Sequence, residues 1–132
     1  MSQENVEIVR RGLEAYPGDD EATSRELIDP DVVISTRPDQ PDVHERHGFA
    51  GLREASAEWT DAWDGHTIEA TEFVEAGDSV LVRTRERGRG RTSGIPMQTE
   101  STFVFTLSNR TIVRIRIFGS DDEALKAVGL EE

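Results

Sequence analysis

Arginine is the residue type with the clearest chemical potential in this chain. Fourteen of the 15 basic residues are Arg, and several recur at every second position: Arg83, Arg85 and Arg87, then Arg114 and Arg116. On a strand, that spacing puts each set on one face. A guanidinium is a planar fork that grips a carboxylate with two bonds and stacks on rings. Converging arginines could therefore hold an anion or polarise a carbonyl. The plainer alternative is that they pair with the chain's own acids. Trp59 and Trp63 fall close to one line of a helix with Leu52 and Ala55, where they would pack a core or wall an apolar pocket. Tyr16 could turn its hydroxyl into such a pocket or toward solvent. His44 and His47 stand beside Asp42 and Glu45, but their spacing fixes no third ligand, so no metal is expected. His66 opens a strand and is expected to be half exposed. There is no cysteine, which excludes disulfides and thiolate metal sites. No Ser-His-Asp order, phosphate loop or dinucleotide fingerprint appears, because Gly88, Gly90 and Gly94 have the wrong spacing and open no helix. No cofactor is expected, and no catalytic residue is assigned.

These side chains need elements to position them. The chain has 132 residues and 35% apolar content, enough for one domain over residues 1–132. The net charge is −12, which repels phosphate at long range and argues against nucleic acid. The charge is uneven: residues 1–78 hold 20 acids and six arginines, whereas residues 79–118 hold eight arginines against only Glu86 and Glu100. No apolar run is long enough to span a membrane. The N-terminus lacks a basic-then-apolar leader, so a soluble cytoplasmic protein is expected.

Val6, Val9, Leu13 and Tyr16 form one helical stripe, ended by Pro17-Gly18. A short helix fits Asp20–Ile28, and a short strand fits Val32–Ile34. Residues 35–48 read as a loop, and a third helix runs from about Phe49 to Trp63. From His66 the period changes to two. Strands are expected over His66–Ala76, Ser79–Arg87, Pro96–Leu107 and Thr111–Phe118. Ser120 and Glu123 form a capping box before a short final helix. Early helices followed by a meander indicate α+β, with helices on one face of a curved antiparallel sheet. Both faces of the late strands carry apolar side chains. Val82, Val104, Val113, Ile115 and Ile117 are assigned to the outer face, which predicts a homodimer through that face.

The segments SQENVEIVRRGLEAY, IDPDV, EFVEAGDSVLVRTRERGRGR and IVRIRIFGSDDEALKAVGL resemble the SnoaL-like branch of the NTF2-like superfamily. That resemblance covers nearly the whole chain. It implies a cone: a strongly curved sheet wraps an internal cavity over three N-terminal helices, commonly in a homodimer. Members include polyketide cyclases, ketosteroid isomerases and proteins without known activity. Ketosteroid isomerase works through a base carboxylate with tyrosine and protonated aspartate donors. The corresponding positions here are Thr36 for the base, Gly12 for the tyrosine and Phe103 for the aspartate, so that enzyme's groups are missing. The same correspondence turns Phe103 inward, together with Arg83, Arg85, Arg114, Arg116 and Phe118, and Glu86 and Glu100 outward.

The expectation is a cytoplasmic homodimer whose cone binds a small, partly apolar carbonyl compound or anion through Tyr16, Trp59, Trp63, Arg83, Arg85, Phe103, Arg114, Arg116 and Phe118. The chemistry implied by the resemblance is cyclase- or isomerase-like, with the base left open. The alternative is a non-catalytic binding or dimerisation module whose arginines are paired internally.

Overall fold

The computed structural model describes residues 2–14, 21–36, 44–119 and 121–129. The elements run α1 (Ser2–Glu14), α2 (Glu21–Leu27), β1 (Ile28–Thr36), β2 (His44–His47), α3 (Gly48–Ala62), β3 (Trp63–Ala76), β4 (Ser79–Gly90), β5 (Pro96–Ser108), β6 (Thr111–Phe118) and α4 (Asp121–Ala127). The strands form one sheet in the order β2-β1-β6-β5-β4-β3. None of the described helices is long and apolar enough to cross a membrane.

The sheet is mixed, which corrects the antiparallel expectation. β1 runs parallel to β6, while the other pairs are antiparallel. A parallel neighbour needs a long crossover; here β2, α3 and the meander lie between β1 and β6 in the chain. β2 falls within the segment expected to be a loop, since four residues are too few to show alternation. Trp63 opens β3 instead of closing α3.

The helix-facing side of the sheet is set by register. Val82 pairs with Phe103, which pairs with Ile117; Val80 pairs with Phe105, which pairs with Ile115. Directly paired residues share a face. These side chains form one apolar cluster with Ile8, Val9, Leu27, Ile28, Val32, Ile34, Leu107 and Ile112. Val6 and Leu13 of the α1 stripe and Leu52 and Ala55 of α3 pack against it. Each fully buried aliphatic side chain contributes about 1.5–3 kcal/mol.

Alternation then sends Leu81, Arg83 and Arg85 to the opposite face, with Val104, Thr102 and Glu100 as their β5 partners. Arg116 pairs with Val104, and Phe118 with Thr102. The inward orientation expected for Arg83, Arg85, Arg114, Arg116 and Phe118 is therefore corrected: all five lie on the outer face. On β6 the cause is a bulge. Leu107 pairs with Ile112 but Thr106 with Arg114, so Val113 is an extra residue, and one added residue reverses the faces beyond it. On β4 the competing phase would have exchanged two valines for guanidinium groups in the core, and burying unpaired charge costs several kcal/mol. Val82, Ile115 and Ile117 likewise belong to the inner cluster, not to an apolar outer patch.

The outer face has its own small apolar cluster. Leu81, Val104 and Phe118 are covered by Ala124 of α4, with Leu125, Val128 and Val74 around them. Asp121 fixes the start of that helix. It accepts from Arg83 Nε at 2.9 Å and Nη2 at 3.1 Å, and from Thr102 Oγ1 at 3.2 Å. Arg83 also donates to Glu72.

Two predictions follow from this packing. Gly51 is buried where α3 crosses β2; a Cβ there would lie 2.8 Å from Arg46 Cβ and 2.9 Å from its carbonyl carbon. Gly51→Ala is expected to cost about 1–3 kcal/mol by overpacking. Gly119→Ala, with nothing within 4 Å, should stay within about 0.5 kcal/mol; urea melts of the two compare them, and equal effects would refute the tight crossing. The Arg83 hydrogen bond holds Asp121 below its usual value of 3.8. A depressed folded value contributes stability above that pH and loses it as pH falls through the folded value. Wild type should therefore lose stability below about pH 4 more steeply than Asp121→Asn. Parallel slopes in acid melts would mean that Asp121 contributes nothing.

Candidate functional site

The inner face changes character toward one end. On β4, Val80 and Val82 are followed on the same side by Thr84, Glu86 and Gly88; on β5, Phe105 and Phe103 are followed by Ser101, Thr99 and Met97. Register aligns these series: Thr84 opposite Ser101, Glu86 opposite Thr99, and Gly88 opposite Met97. On β3, Ala70 pairs with Thr84 and Ile68 with Glu86. Glu86 thus rises from the middle of a three-strand ribbon, below a wall in which the Phe103 and Phe105 rings stack at 5.8 Å.

His66 reaches Glu86 from β3. Asp64 pairs with Arg89 and Thr67 with Arg87, leaving Gly65 and His66 opposite Gly88 alone. Gly65 takes φ +63°, the left-handed conformation that a glycine-led bulge uses. Gly88 supplies the room. A Cβ on it would stand 3.1 Å from Trp63 Cβ and 3.6 Å from His66 Cα.

The polar groups then form a chain. His66 Nε2 lies 3.0 Å from Glu86 Oε1, and Ser101 Oγ donates to Glu86 Oε2 at 2.5 Å. Thr84 Oγ1 donates to the Ser101 carbonyl at 3.0 Å. The side chains of His66 and Glu86 are 1% and 3% exposed. An ionised carboxylate only accepts hydrogen bonds, so the contact assigns a proton to Nε2. Both carboxylate oxygens are engaged, as a buried carboxylate requires. Such a pair can take up or release a proton where water is scarce, the requirement for general acid–base work.

This pair was not anticipated. Glu86 was expected to face outward and His66 to be half exposed; the structure corrects both. The available signal was Val80-x-Val82-x-Thr84-x-Glu86, which ties the glutamate to the face of two valines. Of the expected site residues, Phe103 lies on the inner face and is 8% exposed. Trp63 is half-buried at the start of β3, beside Gly88. Tyr16 and the side chains of Trp59 and His44 lie outside the described residues. His47 is exposed on β2 and pairs with Val33. Among the described residues, no three His, Asp or Glu side chains gather as a metal site.

The arginines do not converge on this site. Arg83 binds Asp121 and Glu72. Arg85 lies 4.0 Å from Glu69 and 3.9 Å from Glu100, and Arg114 is 3.9 Å from Glu45. Thr36 and Phe103, two of the positions where the resemblance finds the isomerase groups missing, share the row Thr36, Ile117, Phe103 and Val82 across β1, β6, β5 and β4. It contains no ionisable side chain.

Residues 9–115 match the SnoaL-like domain family. No curated protein matches the chain. Among solved structures, a candidate SnoaL-like polyketide cyclase from Jannaschia sp. CCS1 is similar with TM-score 0.78 and 18% identity, over 99% of this chain and 94% of that one. A protein of ketosteroid isomerase-like fold from Catenulispora acidiphila DSM 44928, in complex with trimethylamine, gives TM-score 0.72 and 17% identity over 94% and 93% of the two chains. TerC, co-crystallised with polyporic acid, gives 0.74 and 19% over 95% and 97%. At these identities the likeness establishes the fold.

Proposed function

Since the chain belongs to the SnoaL-like family, we propose that it binds a small, partly apolar carbonyl compound between its helices and the inner face of the sheet, with Glu86 as the base and His66 holding it. One observation carries this reading. A carboxylate and an imidazole, 1–3% exposed, are hydrogen-bonded to each other on the inner face of the sheet, where Ile68 is the cross-strand partner of Glu86 and Val82 and Phe103 lie four residues further along the same face. Apolar side chains of similar volume would serve stability as well or better. TerC of the same fold was co-crystallised with polyporic acid, which supports an organic guest.

The chemistry is proton transfer next to a carbonyl. Glu86 takes the proton from the adjacent carbon; the C–H bond breaks, an O–H bond forms, and the electron pair enters the enolate. The enolate then either accepts that proton at another atom, which is isomerisation, or attacks a second carbonyl within the same molecule, which closes a ring and returns the proton to the new alkoxide. His66 and Ser101 hold the carboxylate in position throughout. With the arginines outside, the guest is taken as neutral.

The reading of a binding module without chemistry is favoured by the outer-face ion pairs of Arg83, Arg85 and Arg114, which link strands to one another and to α4. A homodimer belongs to either version. Its apolar basis is gone, but Arg85, Arg87, Glu69 and Glu100 leave both signs of charge beyond α4, so two copies can meet with opposite charges facing.

Two measurements test these proposals. Thermal shift with aromatic and polyketide-like ketones should show a rise in Tm with a binding ketone. With that ketone in D2O, NMR should detect deuterium entering next to the carbonyl. Glu86→Gln keeps the volume but cannot take the proton; it should retain the thermal shift and lose the exchange by about 100-fold or more. No shift across the panel rejects the guest site, and exchange at the wild-type rate in Glu86→Gln rejects the base while leaving the binding module. Sedimentation at micromolar concentration should show a dimer that weakens with salt; a monomer at low salt rejects the homodimer.

A further inference from the structure

The outer face holds an arginine whose charge is not matched. Arg116 has no carboxylate partner among the described residues, whereas Arg83, Arg85 and Arg114 each have at least one. Its surroundings follow from register. Arg116 pairs with Ser35 of β1, and Ser35 pairs with Glu45 of β2. The row Glu45, Ser35, Arg116, Val104 therefore crosses the outer face of four strands. Arg114 lies two residues away on the same side, with Glu45 near its own head at 3.9 Å. Ser35 is 1% exposed, and both its Oγ and the Arg116 Nε are sealed from solvent with no hydrogen-bond partner among the described residues. Buried donors and acceptors left in that state are costly, and native structures keep few of them. Burial and the neighbouring Arg114 both hold the Arg116 guanidinium below its usual range, so a nearby negative charge would relieve it.

We propose that Arg116, with Arg114 beside it and Ser35 beneath, is a binding site for one carboxylate group of a small organic acid, on the face of the sheet opposite Glu86 and His66. The planar fork of Arg116 suits the two oxygens of a carboxylate. Glu45 offsets Arg114, so Arg114, Glu45 and Arg116 together carry one unmatched positive charge. That balance fits a monoanion better than a dianionic phosphate, which the net charge of −12 also repels. The site shares no residue with the cone and stands whether or not the cone binds a ketone.

Benzoate is the probe, with benzamide as its neutral counterpart and inorganic phosphate as the dianion. In wild type, titration with benzoate at constant ionic strength should move the Arg116 Nε–H resonance and raise Tm, and benzamide should do neither. Arg116→Met should weaken benzoate at least about tenfold. Arg116→Lys keeps the charge and loses the fork; it should fall between the two. Circular dichroism verifies that each variant is folded, and should Arg116→Met fail to fold, the lysine variant and the wild-type resonance carry the test. Glu86→Gln should bind benzoate as wild type does, which separates this site from the cone. The proposal is overturned if wild type shows no benzoate response, if the variants bind it equally well, or if phosphate binds more tightly. It is also overturned if Arg116→Met changes the sedimenting mass, since Arg116 would then be meeting a second copy.

Discussion

Which side of the sheet meets the helices decides nearly everything else in this molecule. The deciding contact is the cross-strand row Val82, Phe103 and Ile117, reinforced by Val80, Phe105 and Ile115. Once these six turn toward α1 and α3, the period of two leaves no freedom. Arg83, Arg85, Arg114 and Arg116 must point away, and so must Leu81, Val104 and Phe118. The last three would form an exposed apolar strip, which is why a short helix after β6 has a role at all. Its Ala124 closes the strip, and Asp121 meets Arg83 beside it. The same period brings Glu86 to the helix side.

The elements were largely legible in the sequence, because they rest on local signals. The stripe Val6, Val9 and Leu13 belongs to one helix and needs no knowledge of its neighbours. Gly77-Asp78 marks the turn between β3 and β4, and Gly77 does adopt φ +62°. The strand faces were a different problem. Alternation tells which residues of one strand share a side; it does not tell which side matches the next strand. At β6 that link runs through the extra residue Val113, and nothing in Thr-Ile-Val-Arg announces a bulge. The Gly65–His66 bulge in β3 is likewise a tertiary fact. The parallel pairing of β1 with β6 joins residues some eighty positions apart, beyond any local pattern.

The uneven charge along the chain also gains a physical account. Acidic helices beside the basic stretch 79–118 would be its obvious partners. Most of its partners come instead from the sheet: Asp64, Glu69 and Glu72 of β3, Glu100 of β5 and Glu45 of β2, with Asp121 of α4 and Glu4 of α1 as the helical contributions. These are partly exposed pairs, each of small net worth. Their value lies in register. A slip by one residue between β3 and β4 would bring the acids of β3 to the other face and leave Arg83 and Arg85 without them.

The placement of Glu86 can be weighed in the same terms. Two polar side chains and a hydroxyl occupy inner-face ground that valine, leucine and phenylalanine hold elsewhere on these strands. The fold does not need them for cohesion, since a buried polar pair seldom outperforms well-packed hydrocarbon. They also do not mark register, which the apolar rows and the outer pairs already fix. What distinguishes Glu86 from the sheet's other acids is that both its oxygens are bonded while its side chain is almost wholly removed from water. A carboxylate so held has one fixed direction and little competition from solvent, two conditions for taking a proton from carbon. Outside, the arginines that looked fit for chemistry mostly bind neighbouring acids; inside, a glutamate read as surface is oriented by a histidine and a serine.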